Sequence, residues 1–214
     1  MVKQQKTIAL GIAAVCLIAA VTALAYNRNA ATPTKEPIGE PIITYSTNEP
    51  EESKAKADTY AWQGTALEPK KIIITKLGVD AYVQKAGVDQ NQQIAVPTNI
   101  HLAGWFHESV KPGERGLSII AGHVSGITSD AVFTKLNLLT PGDQFSIELG
   151  NGKIQNYEVA TTTSAPVTEA AGIIFSQDPS IESQLTLVTC DGNYEQSTES
   201  YDKRIIVISK LLKE

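Results

Sequence analysis

Three residues of this 214-residue chain could do chemistry in combination. Cys190 follows the apolar run QLTLVT and precedes Asp191-Gly192-Asn193, which reads as a turn. A thiol at a strand end can meet a substrate while the sheet holds its backbone; the plain alternative is a buried cysteine acting as a small hydrophobe. His123 closes a second apolar run, in Ala-Gly-His-Val-Ser-Gly, where glycines leave room for a ligand or a tight bend. Taken alone, it is equally an ordinary polar loop residue. A thiol and an imidazole at the ends of two strands, converging on one rim, suit acyl transfer: sulfur attacks a carbonyl, and imidazolium protonates the leaving amine. Arg204 is the third candidate. Strand alternation puts it on one side with Ile206 and Ile208, an apolar setting in which a guanidinium needs a reason. It either pairs with Asp202 or Glu195, or offers its fixed donors to an oxyanion or a substrate carbonyl.

The elements that must position these residues are mostly strands. Residues 70–77 and 81–85 flank Gly78-Val79-Asp80 and read as strands around a tight turn. Residues 94–96 are a short candidate, and 116–121 form a buried strand that ends at Gly122-His123. Residues 127–139 hold the best helical pattern, with Val132, Leu136 and Leu139 at compatible spacing. Residues 144–149 and 153–161 are joined by Asn151-Gly152, a hairpin signal. Residues 184–189 and 203–211 are the last strands. Helices are too few to cover both faces of a parallel sheet, so the expected fold is mainly β: a closed or nearly closed barrel with one or two short helices.

Composition narrows the function classes. The chain carries 18 basic and 23 acidic side chains, a net charge of −5, and residues 57–214 hold 12 basic and 18 acidic, a charge of −6. No nucleic acid is expected as a partner. Two cysteines and three histidines fit no zinc finger or ribbon by spacing, so no metal and no other cofactor is expected. Residues 7–26 form a twenty-residue run without a charge, preceded by Lys3 and Lys6. As a helix it would reach ~30 Å, about the hydrocarbon thickness of a bilayer. We therefore expect a cytoplasmic tail over 1–6, a transmembrane anchor (or uncleaved signal) over 7–26, and a single-pass protein of the cell membrane whose domain lies outside. Ala23-Leu24-Ala25 also has the pattern of a signal-peptide cleavage site. Residues 27–56, with Pro33, Pro37, Pro41 and Pro50, read as an extended extracellular linker, and 57–214 as the catalytic domain. With Cys16 in the membrane segment, Cys190 would have no disulfide partner in the exported part.

The constellation resembles the sortases, the cysteine transpeptidases of Gram-positive-type cell surfaces. The family signature Thr-Leu-x-Thr-Cys stands here as Thr186-Leu187-Val188-Thr189-Cys190. The family histidine matches His123 in Ala-Gly-His, and the family arginine matches Arg204 near the start of the last strand. The resemblance extends from about residue 70 to 211. It implies an eight-stranded barrel, with Cys190 as nucleophile, His123 as acid/base and Arg204 as oxyanion or substrate stabiliser. It also implies surface proteins with Leu-Pro-x-Thr-Gly-like (LPxTG-like) C-terminal sorting signals as substrates, cleaved after threonine. The acyl group would pass through a thioester to an amine of peptidoglycan or of another protein. Thr189 is expected to hydrogen-bond near the groove, and Trp105 to line the substrate entrance, its alternative being a plug at the barrel end. No Asp-Pro-aromatic lid motif lies between residues 27 and 60, which argues against a dedicated pilus polymerase; the compact form is similar to the class D, E or F enzymes. Asp178, Glu182 and Asp191 read as solvated loop charges rather than a calcium site. The rivals are an L,D-transpeptidase, disfavoured because Leu-Val-Thr-Cys replaces Ser-His-Gly-Cys, and a membrane-tethered extracellular β module that binds surface peptides without catalysis.

Overall fold

The computed structural model describes residues 42, 52, 60–89, 92–197 and 200–213. The expected tail, anchor and nearly all of the linker lie outside the described residues. Among the described residues, no helix is long and apolar enough to cross a membrane.

Eight strands close into a barrel: β1 (Pro69–Ile74), β2 (Val79–Ala86), β3 (Ala103–Phe106), β4 (Gly116–Gly122), β5 (Gln144–Leu149), β6 (Ile154–Pro166), β7 (Ser183–Glu195) and β8 (Ser200–Leu211). Their order around the wall is β1-β2-β3-β4-β7-β8-β6-β5. The β2–β3 and β4–β7 pairs are parallel. Among the described residues there is one α-helix, α1 (Val167–Ile174), which follows β6 directly. The mainly β, closed-barrel fold expected from the sequence is the fold observed.

Strict alternation along the strands makes two cores. Inward side chains such as Ile72, Val83, Ile120, Leu185, Leu187 and Val207 fill the barrel. The alternate, outward residues Ile119, Ala121, Val188 and Ile206 form a second cluster on the outside of β4, β7 and β8, under Ala170 and Ile174 of α1. The helix is delivered there by β6, whose Ala165 and Pro166 lie opposite Arg204 and Lys203 of β8. Proline at the helix N-cap ends the strand without costing an intrahelical bond. An edge contact between Phe175, just past the helix, and Phe106 of β3 fastens the other end, with ring centroids 6.1 Å apart.

Three expectations are corrected. Residues 127–139 do not form a helix: only a 3-10 turn at Leu136–Leu138 appears. Val132, Leu136 and Leu139 are buried as the spacing demands, but the amides are taken by tertiary bonds, Val132 N–H donating to Ile100 O at 2.8 Å and Phe133 N–H to His123 O at 3.0 Å. Residues 94–96 are not a strand; Ile94 makes a single bridge to Val88, and Ala103–Phe106 supplies the third strand. Finally, Asp191-Gly192-Asn193 is not a turn. It is a bulge inside β7, where the ladder shifts between Asp191 and Tyr194, and Gly192 takes φ +82°, a conformation glycine adopts without a Cβ penalty.

Candidate active site

Alternation and register together decide where the three candidate residues go. His123 stands two residues past Ala121, Cys190 two past Val188, and Arg204 two before Ile206, so all three continue the outward row. Cys190 is directly paired with Arg204 across β7 and β8. On the other side, the parallel β4–β7 ladder runs up to the Ala121–Val188 pair, two residues short of His123 and Cys190, and both of these line one cavity. Thr189 staples this junction: its hydroxyl donates to Gly122 O at 2.8 Å from a buried position. A side chain at Gly122 would meet Val132 Cγ1 at 2.6 Å and Phe133 Cδ2 at 2.8 Å, so the packing of these two residues against the end of β4 requires glycine.

The row opens on a cavity of about 570 Å3. Cys190, His123, Arg204 and Thr189 all line it, with Val88, Ile94 and Val96 from the segment before β3 and Val167, Ala170 and Ile174 from α1 as apolar walls. Among the described lining residues, Arg204 is the one side chain of permanent charge. Trp105 is not brought to the site. It is buried in the barrel interior, and its indole N–H donates to Val110 O at 3.2 Å, as a plug would.

Burial favours the uncharged forms of the thiol and the imidazole. Burial pushes the free Cys190 thiol up, and the Arg204 guanidinium pulls it part of the way back. Burial also holds His123 below the ordinary imidazole value of 6.5, against a smaller opposing effect of its hydrogen bond to Pro97. Because the partner is a carbonyl, His123 Nε2–H must donate to Pro97 O, at 2.8 Å, which leaves Nδ1 to exchange protons. Arg204 is held by its own strand: Nη1 donates to Tyr201 O and Lys203 O, each at 2.8 Å, and Nη2 to Ser200 Oγ at 3.2 Å.

Features beyond the reach of motif reading complete the site. Helix α1 supplies a wall, although Ala170 and Ile174 at a four-residue spacing after Pro166 were a usable signal. Ser125, two residues past His123, lies 3.0 Å from the phenol oxygen of Tyr201. Glu52, from the stretch expected to be linker, accepts hydrogen bonds from Thr128 N and Oγ1, both at 2.6 Å, and from Ser129 N at 3.2 Å. These bonds, the Thr128 side chain foremost, hold its carboxyl below the usual glutamate range. The loop it caps contributes Gly126 and Ile127 to the cavity. Among the described residues, no group of three His, Cys, Asp or Glu side chains could hold a metal ion. Asp178 instead caps its own turn through Ser180 N and Oγ, and Asp191 accepts from Ser164.

A closed barrel with cysteine, histidine and arginine lining one cavity on its outer face has the groups that thiol-dependent acyl transfer requires. Residues 72–212 match the Sortase domain family model, which spans most of the chain: this protein belongs to the sortase family of cysteine transpeptidases. Its fold is similar to that of several solved sortases. Sortase A from Corynebacterium diphtheriae (lid mutant) is 20% identical, with 67% of this chain and 69% of that chain covered at a TM-score of 0.52. Sortase C-1 from Actinomyces oris is 21% identical, covering 71% of this chain and 78% of that one at 0.50. The sortase D5 transpeptidase of Clostridium perfringens is 23% identical, covering 68% and 79% at 0.51. No curated protein matches the sequence.

Proposed function

We propose that this enzyme cleaves an LPxTG-like sorting signal after threonine and passes the acyl group, as a Cys190 thioester, to an amine of the cell wall or of a surface protein. One observation carries the reading: Cys190 and Arg204, paired across β7 and β8, and His123, just past the end of β4, line one apolar-walled cavity. Walls of valine, isoleucine and alanine, with no carboxylate or lysine among the described lining residues, suit a short neutral peptide segment.

The chemistry follows from the groups present. Burial pushes the thiol up and the imidazole down, so attack begins with the Cys190 proton passing to His123. Sulfur then bonds to the threonine carbonyl carbon, and the oxygen that takes up negative charge is met by Arg204. Imidazolium returns the proton to the leaving amine as the C–N bond breaks. The second amine reverses these roles: it loses a proton to His123, attacks the thioester carbon and releases the Cys190 sulfur. A guanidinium beside Cys190 favours thiolate at each departure.

We further propose that residues 7–26 anchor the enzyme in the cell membrane with the barrel outside; the length and uncharged character of the run and the preceding Lys3 and Lys6 support this. The deciding experiment for the chemistry is mass spectrometry of the protein with sorting-signal peptides and amine acceptors. An acyl adduct on Cys190 that disappears when amine is added is the expected result. Peptide binding without any adduct would leave only the non-catalytic β module.

A further inference from the structure

Pairing in β4 ends at Gly122, one residue before His123, so the ladder does not fix the wall that follows. The strand bearing Arg204 is likewise approached through a hairpin that reaches beyond the barrel. Transfer chemistry requires both walls at fixed distances from Cys190, because misplacement by an ångström is costly in rate. Something must tie them.

Tyr201 touches both. Its carbonyl accepts Arg204 Nη1 at 2.8 Å, while its phenol oxygen lies 3.0 Å from Ser125 Oγ on the His123 wall. Each end of this link is stiff. Ser125 bridges Asp130, and Gly126 N–H donates to Ser129 O at 2.9 Å, so the loop is closed on itself. Glu52 clamps the same loop through Thr128 and Ser129. On the other wall, Tyr201 lies opposite Tyr194 in the β7–β8 ladder, and their rings meet edge to face at 5.4 Å and 70°.

We propose that Tyr201 and Ser125 form a clasp between the two walls, and that Tyr201 is a positioning residue for the reaction. It acts through Arg204 and the His123 loop. The clasp rests on the transpeptidase reading above. Each hydroxyl supplies one end of a single bond, so losing either end has the same consequence as losing both.

Tyr201→Phe removes the phenol but keeps the carbonyl that holds Arg204 and the ring that packs on Tyr194. Ser125→Ala cuts the same bond from the other wall. In the full-length chain, acylation by a sorting-signal peptide gives kcat and KM, and iodoacetamide labelling at neutral pH, read at Cys190 by peptide mass spectrometry, gives thiol reactivity without any substrate. The expected result is a fall in kcat of about five- to tenfold in either variant, with KM within about twofold, the size of one lost hydrogen bond felt mainly in the transition state. The double variant is no slower than the slower single one, because the two changes break one interaction. Labelling slows by about threefold as Arg204 loses its set against the thiol. Unchanged kcat and labelling, factors that multiply in the double variant, or a lower melting temperature with unchanged kinetics would each overturn the clasp. If the parent chain forms no acyl adduct, the transpeptidase reading fails separately, and labelling then decides the clasp alone: slowed in both variants supports it, unchanged refutes it.

Discussion

Arg204→Lys keeps the charge beside Cys190 and removes the planar fork, so it isolates what the fork does. Arg204 has five N–H donors. Tyr201 O and Lys203 O occupy both hydrogens of Nη1, and Ser200 Oγ takes one of Nη2. That leaves Nε–H and the second Nη2–H for a developing oxyanion. A lysine ammonium has three donors on a point charge. Once two of them satisfy the strand carbonyls, one remains, and it cannot keep the geometry of the fork. Losing an oxyanion donor costs ~10²–10³ in kcat, so Arg204→Lys should lower the acylation rate by about 10² while KM changes little. Retention of the positive charge should hold the thiol near its present pKa, so labelling of Cys190 by iodoacetamide should stay close to the parent rate. Single-turnover acylation, labelling and a melting curve on the same preparation check all three statements. Near-parental turnover in the lysine variant would refute the oxyanion role and leave Arg204 as a support for the β7–β8 hairpin. A large stability loss with normal turnover would refute it in the same way.

Cys190→Ala should abolish both peptide cleavage and amine transfer, because Cys190 is the thiol that lines the cavity; residual transfer in a product assay would end the thioester mechanism. His123→Ala should slow transfer by roughly 10²–10⁴, seen in the same assay. Since burial lowers the His123 pKa from 6.5, the folded chain binds fewer protons there than the unfolded chain. Its contribution to stability is present above the unfolded value and lost as pH falls through the lowered one, so urea midpoints from about pH 7 to about pH 5 should fall less steeply in His123→Ala. Ile206→Ala opens a void between β8 and α1 and should cost about 2–5 kcal/mol in equilibrium unfolding. Protease treatment of intact cells should remove the barrel; digestion only after lysis would refute the proposed topology.

Much of the site was legible before the fold because strand alternation is a local property. Arg204, Ile206 and Ile208 could be placed on one side from spacing alone, and the Ile119-Ala121-His123 and Val188-Cys190 rows obey the same period. The barrel class followed from a run of strands with too few helices to cover both faces of a parallel sheet. The helix expected over 127–139 failed because apolar spacing reports which side chains are buried, not which carbonyls receive the amides. Here Ile100 O and His123 O took them. Reading Asp191-Gly192-Asn193 as a turn failed for a related reason: a glycine with positive φ serves a bulge as well as a turn, and only the partner strand distinguishes them.

What the sequence by itself determined was the set of reactive residue types, the strands that carry them and the side of each strand they occupy, because all of these are set within a few residues. The tertiary structure decided the rest. It chose the parallel β4–β7 register that brings the ends of the His123 and Cys190 runs to one cavity, laid α1 over the outer face, put Trp105 inside the barrel, and brought Ser125 and Glu52 to partners 76 residues away. Such contacts join groups with no local relation in the chain, and only closure of the whole barrel brings them within hydrogen-bonding distance.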